Sequence, residues 1–376
     1  MNAVNTDCTE RNGLIESNKI LYTEVDIMHM ADALISPIVG GTMMAASAGI
    51  ATYSIKKVQS DMDDKKIPFM GVMGAFVFAA QMINFQIPGT GASGHIGGGL
   101  LLAVLLGPYA GFLTMCSILL IQALFFADGG LLALGCNMFN LGFYTCFLAY
   151  PLIYKRITRG KVNGVRIFVA SLLSSIVGLQ LGAFSVVVET LLSGKTELPF
   201  GTFVLLMQPI HLAIGVMEGI ISAAVIGFVW KARPEIMERT ANSGAIGSIS
   251  MKNVLAVFLV AVVLTGGVLS WFASSNPDGL EWSMEKTAGT SELEADGWIY
   301  NVMSRLQNKM AFLPDYSFKT AADDEVHTSE SVEKWPAVSS GTSVSGIVGG
   351  VMTLAMAMSV GAAIRLAKRK KRKVTA

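Results

Sequence analysis

Residues 203–230 read FVLLMQPIHLAIGVMEGIISAAVIGFVW. The run contains one acid, Glu218, one histidine, His211, and no lysine or arginine. A bilayer core takes about 20 apolar residues of helix, so this segment is long enough to cross one. Similar runs lie near 34–54, 67–83, 109–127, 136–154, 166–190, 252–272 and 344–366. A ninth, 96–107, is shorter; it either dips into the membrane and returns or packs inside the bundle. The expected fold class is all-α. It is a polytopic integral membrane helical bundle of about seven helices, followed by a C-terminal two-helix hairpin with a long outer loop.

Composition leads to the same class. Across 376 residues, 52% are hydrophobic and 15% charged, with a mean hydropathy of +0.54. Soluble domains run near ~25% charged, so too few charges remain to cover an aqueous surface. A net charge of +1 gives no broad basic face for nucleic acid. The four cysteines form no CxxC pair and no zinc spacing. The first 27 residues carry Asp7, Glu10, Glu16, Glu24 and Asp26 and no apolar core, which excludes a secretory signal peptide.

Lysine and arginine in short loops mark the cytoplasmic side. The 155–166 loop carries Lys155, Arg156, Arg159, Lys161 and Arg166; the first loop carries Lys56, Lys57, Lys65 and Lys66; the tail runs from Arg365 to Lys373. The acidic 273–343 segment belongs outside. Nine crossings satisfy these assignments, with the N-terminus outside and the C-terminus inside. Residues 231–251 are polar and rich in Gly and Ser and read as a cytoplasmic linker. Three parts follow: an extension, 1–27; a transmembrane unit, 28–240; and an accessory hairpin with a basic tail, 241–376.

The bundle lacks machinery of its own for driving transport. Gly194-Lys195-Thr196 suggests a phosphate loop, but that motif needs glycine where Glu189 stands. No catalytic residue and no permanently bound cofactor is expected. His211 and Glu218, seven residues apart, share a helical face; they read either as a buried hydrogen-bonded pair or as a transport element. Of the four histidines, His327 lies in the acidic outer loop. His29 and His95 both fall at the outer end of the bundle, where they read either as metal ligands or as solvated or structural histidines. Residues 252–376 hold no cluster of ligating side chains, so the hairpin is expected to assist metal loading without giving the metal a ligand. In the first span, Ala45 with Gly49 and Ser47 with Ala51 pair small residues at four-residue spacing, which suits either packing within the bundle or docking of a partner helix.

Met28-His29-Met30-Ala31-Asp32 followed by Leu34-Ile35-Ser36-Pro37 resembles the opening of the cobalt/nickel substrate-specific components of energy-coupling-factor transporters, the CbiM/NikM family. Ile87-Pro88-Gly89 to Ser93-Gly94-His95, Leu106-Gly107-Pro108-Tyr109-Ala110-Gly111-Phe112, Gln122-Ala123-Leu124 with Asp128-Gly129-Gly130, and His211 with Gly215 and Glu218-Gly219 continue the resemblance in order. Asn276-Pro277-Asp278-Gly279-Leu280-Glu281 resembles the PDGLE accessory domain. Ala31 and Ala33 stand where the family more often shows Pro and Gly.

The resemblance implies a metal-capturing component in a bacterial or archaeal cytoplasmic membrane. It serves cobalamin biosynthesis or nickel-enzyme maturation and docks on a transmembrane coupling subunit that connects to two ATP-binding-cassette ATPases. The cargo would be Co(II) or Ni(II); the contrasting reading is a membrane metal sensor or chaperone that binds without transporting. The implied ligands are the amine of Met28, the amide nitrogen and imidazole of His29, and the imidazole of His95, with Asp32, Ser93, His211 and Glu218 in supporting or coupling roles. Four nitrogens in a plane favour Ni(II) or Cu(II) and accommodate Co(II). A free amine at Met28 requires that residues 1–27 be absent, and the functional chain is therefore expected to begin at Met28.

Overall fold

The computed structural model describes residues 29–61, 65–160, 162–241, 251–291, 293, 295–318 and 335–374. The N-terminal unit contains α1 (Pro37–Asp61), α2 (Lys66–Gln81), α3 (Gly99–Leu106) and α4 (Pro108–Phe125). Between α2 and α3, β1 (Phe85–Ile87) pairs antiparallel with β2 (Ala92–Gly94), placing Phe85 opposite Gly94. Next comes one continuous rod: α5 (Leu134–Asn137), a π-helix over Met138–Tyr154 with Pro151 inside it, and α6 (Lys155–Ile157). The unit ends with α7 (Gly164–Leu192), α8 (Phe200–Ala232) and α9 (Pro234–Ala241). The C-terminal unit contains α10 (Lys252–Gly267), α11 (Gly279–Ala288), α12 (Trp298–Met310) and α13 (Ser340–Val374).

Among the described residues, α1, α4, α7, α8 and α13 are long and apolar enough to cross a membrane, and α2 and α10 are shorter apolar helices. Local signals explain several boundaries. The Asn163 side chain accepts from the Arg166 N–H at 2.8 Å and starts α7. Gly107, at φ +88°, lets the chain reverse before Pro108 opens α4. Asp278 and Glu281 form a reciprocal capping box at the start of α11.

Two expectations are refined. At 1.5 Å per residue, the eight residues of α3 are too short to span a bilayer. All eight are buried, so this segment packs inside the bundle. The segment expected to be a linker is partly helix. Ile236 and Met237 of α9 are buried, and the Thr240 hydroxyl donates to the Leu105 carbonyl at 3.1 Å, which seats α9 against α3. The short apolar face of Ile236, Met237 and Thr240 was hidden by its charged neighbours. Residues 242–250 and the extension 1–27 lie outside the described residues.

Small residues set how closely the helices approach. A Cβ on Gly215 or Gly219 of α8 would fall 3.0 Å from Ile176 Cα or 2.6 Å from Leu172 Cα on α7, so the two backbones nearly touch. The C-terminal pair is docked in the same way. Gly266 of α10 abuts Gly346 of α13, and Gly349 of α13 lies on the rings of Phe78 and Phe126. In α1, Ser47 turns inward and donates to the Gly135 carbonyl at 2.7 Å, whereas Ala45 and Gly49 are exposed. The chain between α10 and α13 folds back over one end of the bundle, and this brings it to the cavity described next.

Candidate metal centre

The site begins where the chain before α1 is tied to the rod. The Asn137 side chain accepts from the Met30 N–H at 3.1 Å and donates to the Met30 carbonyl at 3.2 Å. Gly130 N–H also donates to that carbonyl at 3.0 Å. Asp32 accepts from the N–H groups of Leu132 and Ala133 at 2.7 and 2.9 Å. Burial pushes its carboxyl above the usual value, against those backbone bonds. Asp32 therefore clamps the loop after α4 and does not face the cavity's histidines. Gly129, at φ +79°, leaves no room for a side chain: a Cβ there would stand 2.8 Å from His29 Cβ and 2.9 Å from Asn137 Nδ2.

This loop presents Asp128 to His29. His29 Nδ1 lies 2.8 Å from Asp128 Oδ1, with both side chains buried. A carboxylate only accepts, so Nδ1–H is the donor in this bond. Nε2 is buried and finds no hydrogen-bond partner among the described residues. Imidazoles that ligate metals are commonly oriented in this way by a carboxylate on the other nitrogen. Burial alone would raise the Asp128 carboxyl, but the His29 imidazole and the Tyr316 hydroxyl bond hold it below the usual carboxylate value. Burial and the Asp128 carboxylate push the Tyr316 hydroxyl well above the usual tyrosine value.

His95 arrives from the other side, just after β2. Its Nδ1–H donates to the Ile96 carbonyl at 3.1 Å, and its Nε2 lies 4.0 Å from Asp278 Oδ2. Its ring centroid is 5.4 Å from that of His29. The loop beyond it is gripped by Glu218, whose buried carboxylate accepts from the N–H groups of Gly97 and Gly98 at 2.8 and 3.1 Å. His211 also lines the cavity, but its Nδ1–H donates to its own helix at the Met207 carbonyl, 2.8 Å away. His211 and Glu218 thus share a face without bonding to each other. Ser93 does not line the cavity: its N–H donates to the Pro277 carbonyl at 2.8 Å and its hydroxyl to the Asn276 carbonyl at 2.7 Å.

His29, His95 and His211 line a common cavity of about 80 Å³, closed in part by Asn137, Leu179 and Asp278. The C-terminal unit, expected to assist loading without giving the metal a ligand, reaches the cavity: Asp278 is buried in its wall and Tyr316 holds Asp128. Neither position is distinguishable in sequence from an ordinary helix cap or a core tyrosine. Asp128 was carried in the sequence only as part of a family resemblance, without a role. Among the described residues, no three His, Cys, Asp or Glu side chains stand close enough to hold a metal by themselves. The expected chelate relies on backbone nitrogen as well, and Met28 lies outside the described residues. A ring closed by one residue's amide nitrogen and imidazole runs through Cα, Cβ, Cγ and Nδ1. Here Nδ1 faces Asp128, so that chelate requires the His29 ring to turn over.

The fold and cavity define a class: a polytopic helical membrane protein that sets two imidazoles side by side in one pocket. Residues 29–236 match the family model described as the cobalt uptake substrate-specific transmembrane region, CbiM, and residues 252–366 match the PDGLE domain. The chain belongs to the CbiM family and carries a fused PDGLE domain. It is 31% identical over 335 residues to a protein described as a fused nickel transport protein, NikMN, of Archaeoglobus fulgidus, covering 89% of this chain and 98% of that one. A fused nickel transport protein, LarMN, of Lactiplantibacillus plantarum is 30% identical over 57% of this chain and 67% of its own. A cobalt transport protein, CbiM, of Sorangium cellulosum is 30% identical over 50% of this chain and 84% of its own.

Because Asp128 orients His29, Asp128→Asn should weaken binding of Ni(II) by about 10- to 100-fold while leaving the helical content unchanged. Isothermal titration and circular dichroism on the purified protein check this. Unaltered affinity would reduce Asp128 to a packing role.

Proposed function

We propose that this protein captures Co(II) or Ni(II) at the outer face of a bacterial or archaeal cytoplasmic membrane and delivers it inward. It acts as the substrate-specific component of an ATP-driven energy-coupling-factor transporter and is not itself an enzyme. ATP hydrolysis belongs to two partner ATPases, reached through a transmembrane coupling subunit. The exposed Ala45 and Gly49 of α1 supply a smooth face on which that subunit docks. The observation that carries the proposal is the pair His29 and His95, brought from distant parts of the chain to a ring separation of 5.4 Å, with His29 held by a buried carboxylate.

Nitrogen donors in a buried pocket favour Ni(II) and Co(II) over Mg(II) and Ca(II), which prefer oxygen. In a chain that begins at Met28, the amine of Met28, the amide nitrogen and turned ring of His29, and His95 complete the plane. In the intact chain Met28 has an amide and His29 binds through Nε2. Glu218 positions His95 through the Gly97–Gly98 backbone, and Asp32 and Asn137 position the approach to His29.

Cells producing the protein with its partners should accumulate Co(II) or Ni(II), and His29→Ala or His95→Ala should abolish this accumulation. His327→Ala should leave it intact. Accumulation that survives both cavity substitutions would refute the site. The orientation is checked separately. A thiol reagent confined to the outside should label cysteine placed at Ser291 and not at Thr158; the reverse pattern would put the histidines on the wrong face. A chain beginning at Met28 should bind Ni(II) one-to-one and far more tightly than the intact chain. Equal affinity would remove the amine from the ligand set.

A further inference from the structure

At the other end of the bundle from the histidines lies a larger cavity, of about 830 Å³. About 19 residues of α8 separate His211 in the first cavity from Trp230 in the second, roughly 28 Å at 1.5 Å per residue. The hydrocarbon core of a bilayer is ~30 Å thick. The two cavities therefore belong to opposite faces of the membrane. Trp230, with Tyr150 and Tyr154, lines the second one at the depth where aromatic side chains gather at the membrane–water boundary.

A turn after the rod builds this cavity. The Thr158 N–H and hydroxyl both donate to the Tyr154 carbonyl, at 3.0 and 2.8 Å. Gly160, at φ +88°, bends the chain, and Arg166 Nη1–H donates to the Arg159 carbonyl at 3.1 Å. Lys155, Arg156 and Arg159 are thereby carried into the lining, where Glu238 is the one acid among the described residues. Neither Arg156 nor Arg159 is paired with an acid among the described residues. Pro151 and Trp230 add apolar surface, and Tyr150 and Tyr154 stack with ring centroids 6.0 Å apart. The Tyr154 hydroxyl is buried without a hydrogen-bond partner among the described residues, so the wall is short of an acceptor.

These features select the occupant. Three cations against one acid favour an anion, and the fork of a guanidinium matches two oxygens of a phosphate. A small soluble anion makes no use of the aromatic and proline surface, whereas an amphiphile uses both parts. The orientation proposed above puts this end at the cytoplasmic face, where basic pockets between helices hold anionic lipid headgroups. We propose that this cavity binds the headgroup of one anionic phospholipid, with Arg156 and Arg159 on its phosphate and Pro151 and Trp230 against its glycerol backbone. The bound lipid ties the end of the rod to the corner between α8 and α9. The metal cavity has no part in this inference, so either can fail without the other.

The test is native mass spectrometry of the full-length protein in detergent, titrated with phosphatidylglycerol, phosphatidylcholine or glycerol 3-phosphate. The first phosphatidylglycerol should bind at least about tenfold more tightly than phosphatidylcholine, and glycerol 3-phosphate should not displace it. Arg156→Gln combined with Arg159→Gln should weaken that first binding at least about tenfold, with helical content unchanged by circular dichroism. Arg156→Lys combined with Arg159→Lys keeps the charge and should bind more tightly than the glutamine pair. Lys56→Gln combined with Lys57→Gln removes as much charge from the same end, where Val58 and Thr240 line one small pocket, and should bind like the parent. Parent-like lipid binding by the Arg-to-Gln pair, or equal weakening in the lysine pair, would overturn the site. Displacement by glycerol 3-phosphate at matching concentration would make the ligand a soluble phosphate and overturn the lipid. Lipid binding that is unchanged in the Arg-to-Gln pair, while capture of the purified coupling subunit is lost, would give the cavity to that partner instead.

Discussion

A buried imidazole–carboxylate pair, His29 with Asp128, is the constraint on which the rest of the cavity depends. Removing both groups from water is costly, and a paired geometry with the remaining lone pairs satisfied is what makes it tolerable. Asp128 achieves this by accepting from His29 on one oxygen and from Tyr316 on the other. The Tyr316 hydroxyl in turn accepts from Gln122 Nε2 at 3.3 Å, which also reaches Gln81 Oε1 at 3.1 Å. Gln81 Nε2 donates to the Gly97 carbonyl at 2.9 Å, two residues from His95. One connected chain of polar groups therefore runs from the first imidazole to the loop of the second, within a predominantly apolar bundle.

Such a network forms only if backbones come close, and glycine supplies that freedom at a few positions. Gly98, at φ +75°, sits where a Cβ would press into Val77, while its N–H and that of Gly97 reach Glu218. Gly130 leaves space for the Asp32 carboxylate. Ala127 adopts φ +57° without being glycine, a strained conformation immediately before Asp128 that the loop's many bonds sustain. The cavity is thus held by backbone geometry as much as by side chains.

The fused PDGLE unit is part of this construction. It meets the His29 side through Tyr316 and the His95 side through Asp278, and Gln307 Nε2 donates to the Gly129 carbonyl at 2.7 Å beside Asp128. Its last helix, α13, packs closely on α2 through Gly349 and Gly71. The domain forms one wall of the cavity through Asp278, Gly279 and Leu280. The separation of the chain into a metal-binding unit and an accessory unit holds along the sequence but not across the cavity.

Legible in the sequence were the all-α membrane class, the long spans and two of the histidines that line the cavity. Those properties are written in local hydropathy, in charge at the span ends, and in motifs such as Met28 to Asp32. The residues that start three of the helices, Asn163, Pro108 and Asp278, have local capping roles that the structure makes visible. Tertiary structure alone decided that Asp128 orients His29, that Glu218 reaches the Gly97 backbone and not His211, and that Ser93 serves the PDGLE loop. It also decided that Ala45 faces out while Ser47 faces in. The physical reason is that hydropathy reports whether a residue leaves water, whereas a polar residue's task depends on which donor or acceptor stands within 3 Å of it. That neighbour comes from packing between distant segments, where local sequence carries no trace of it.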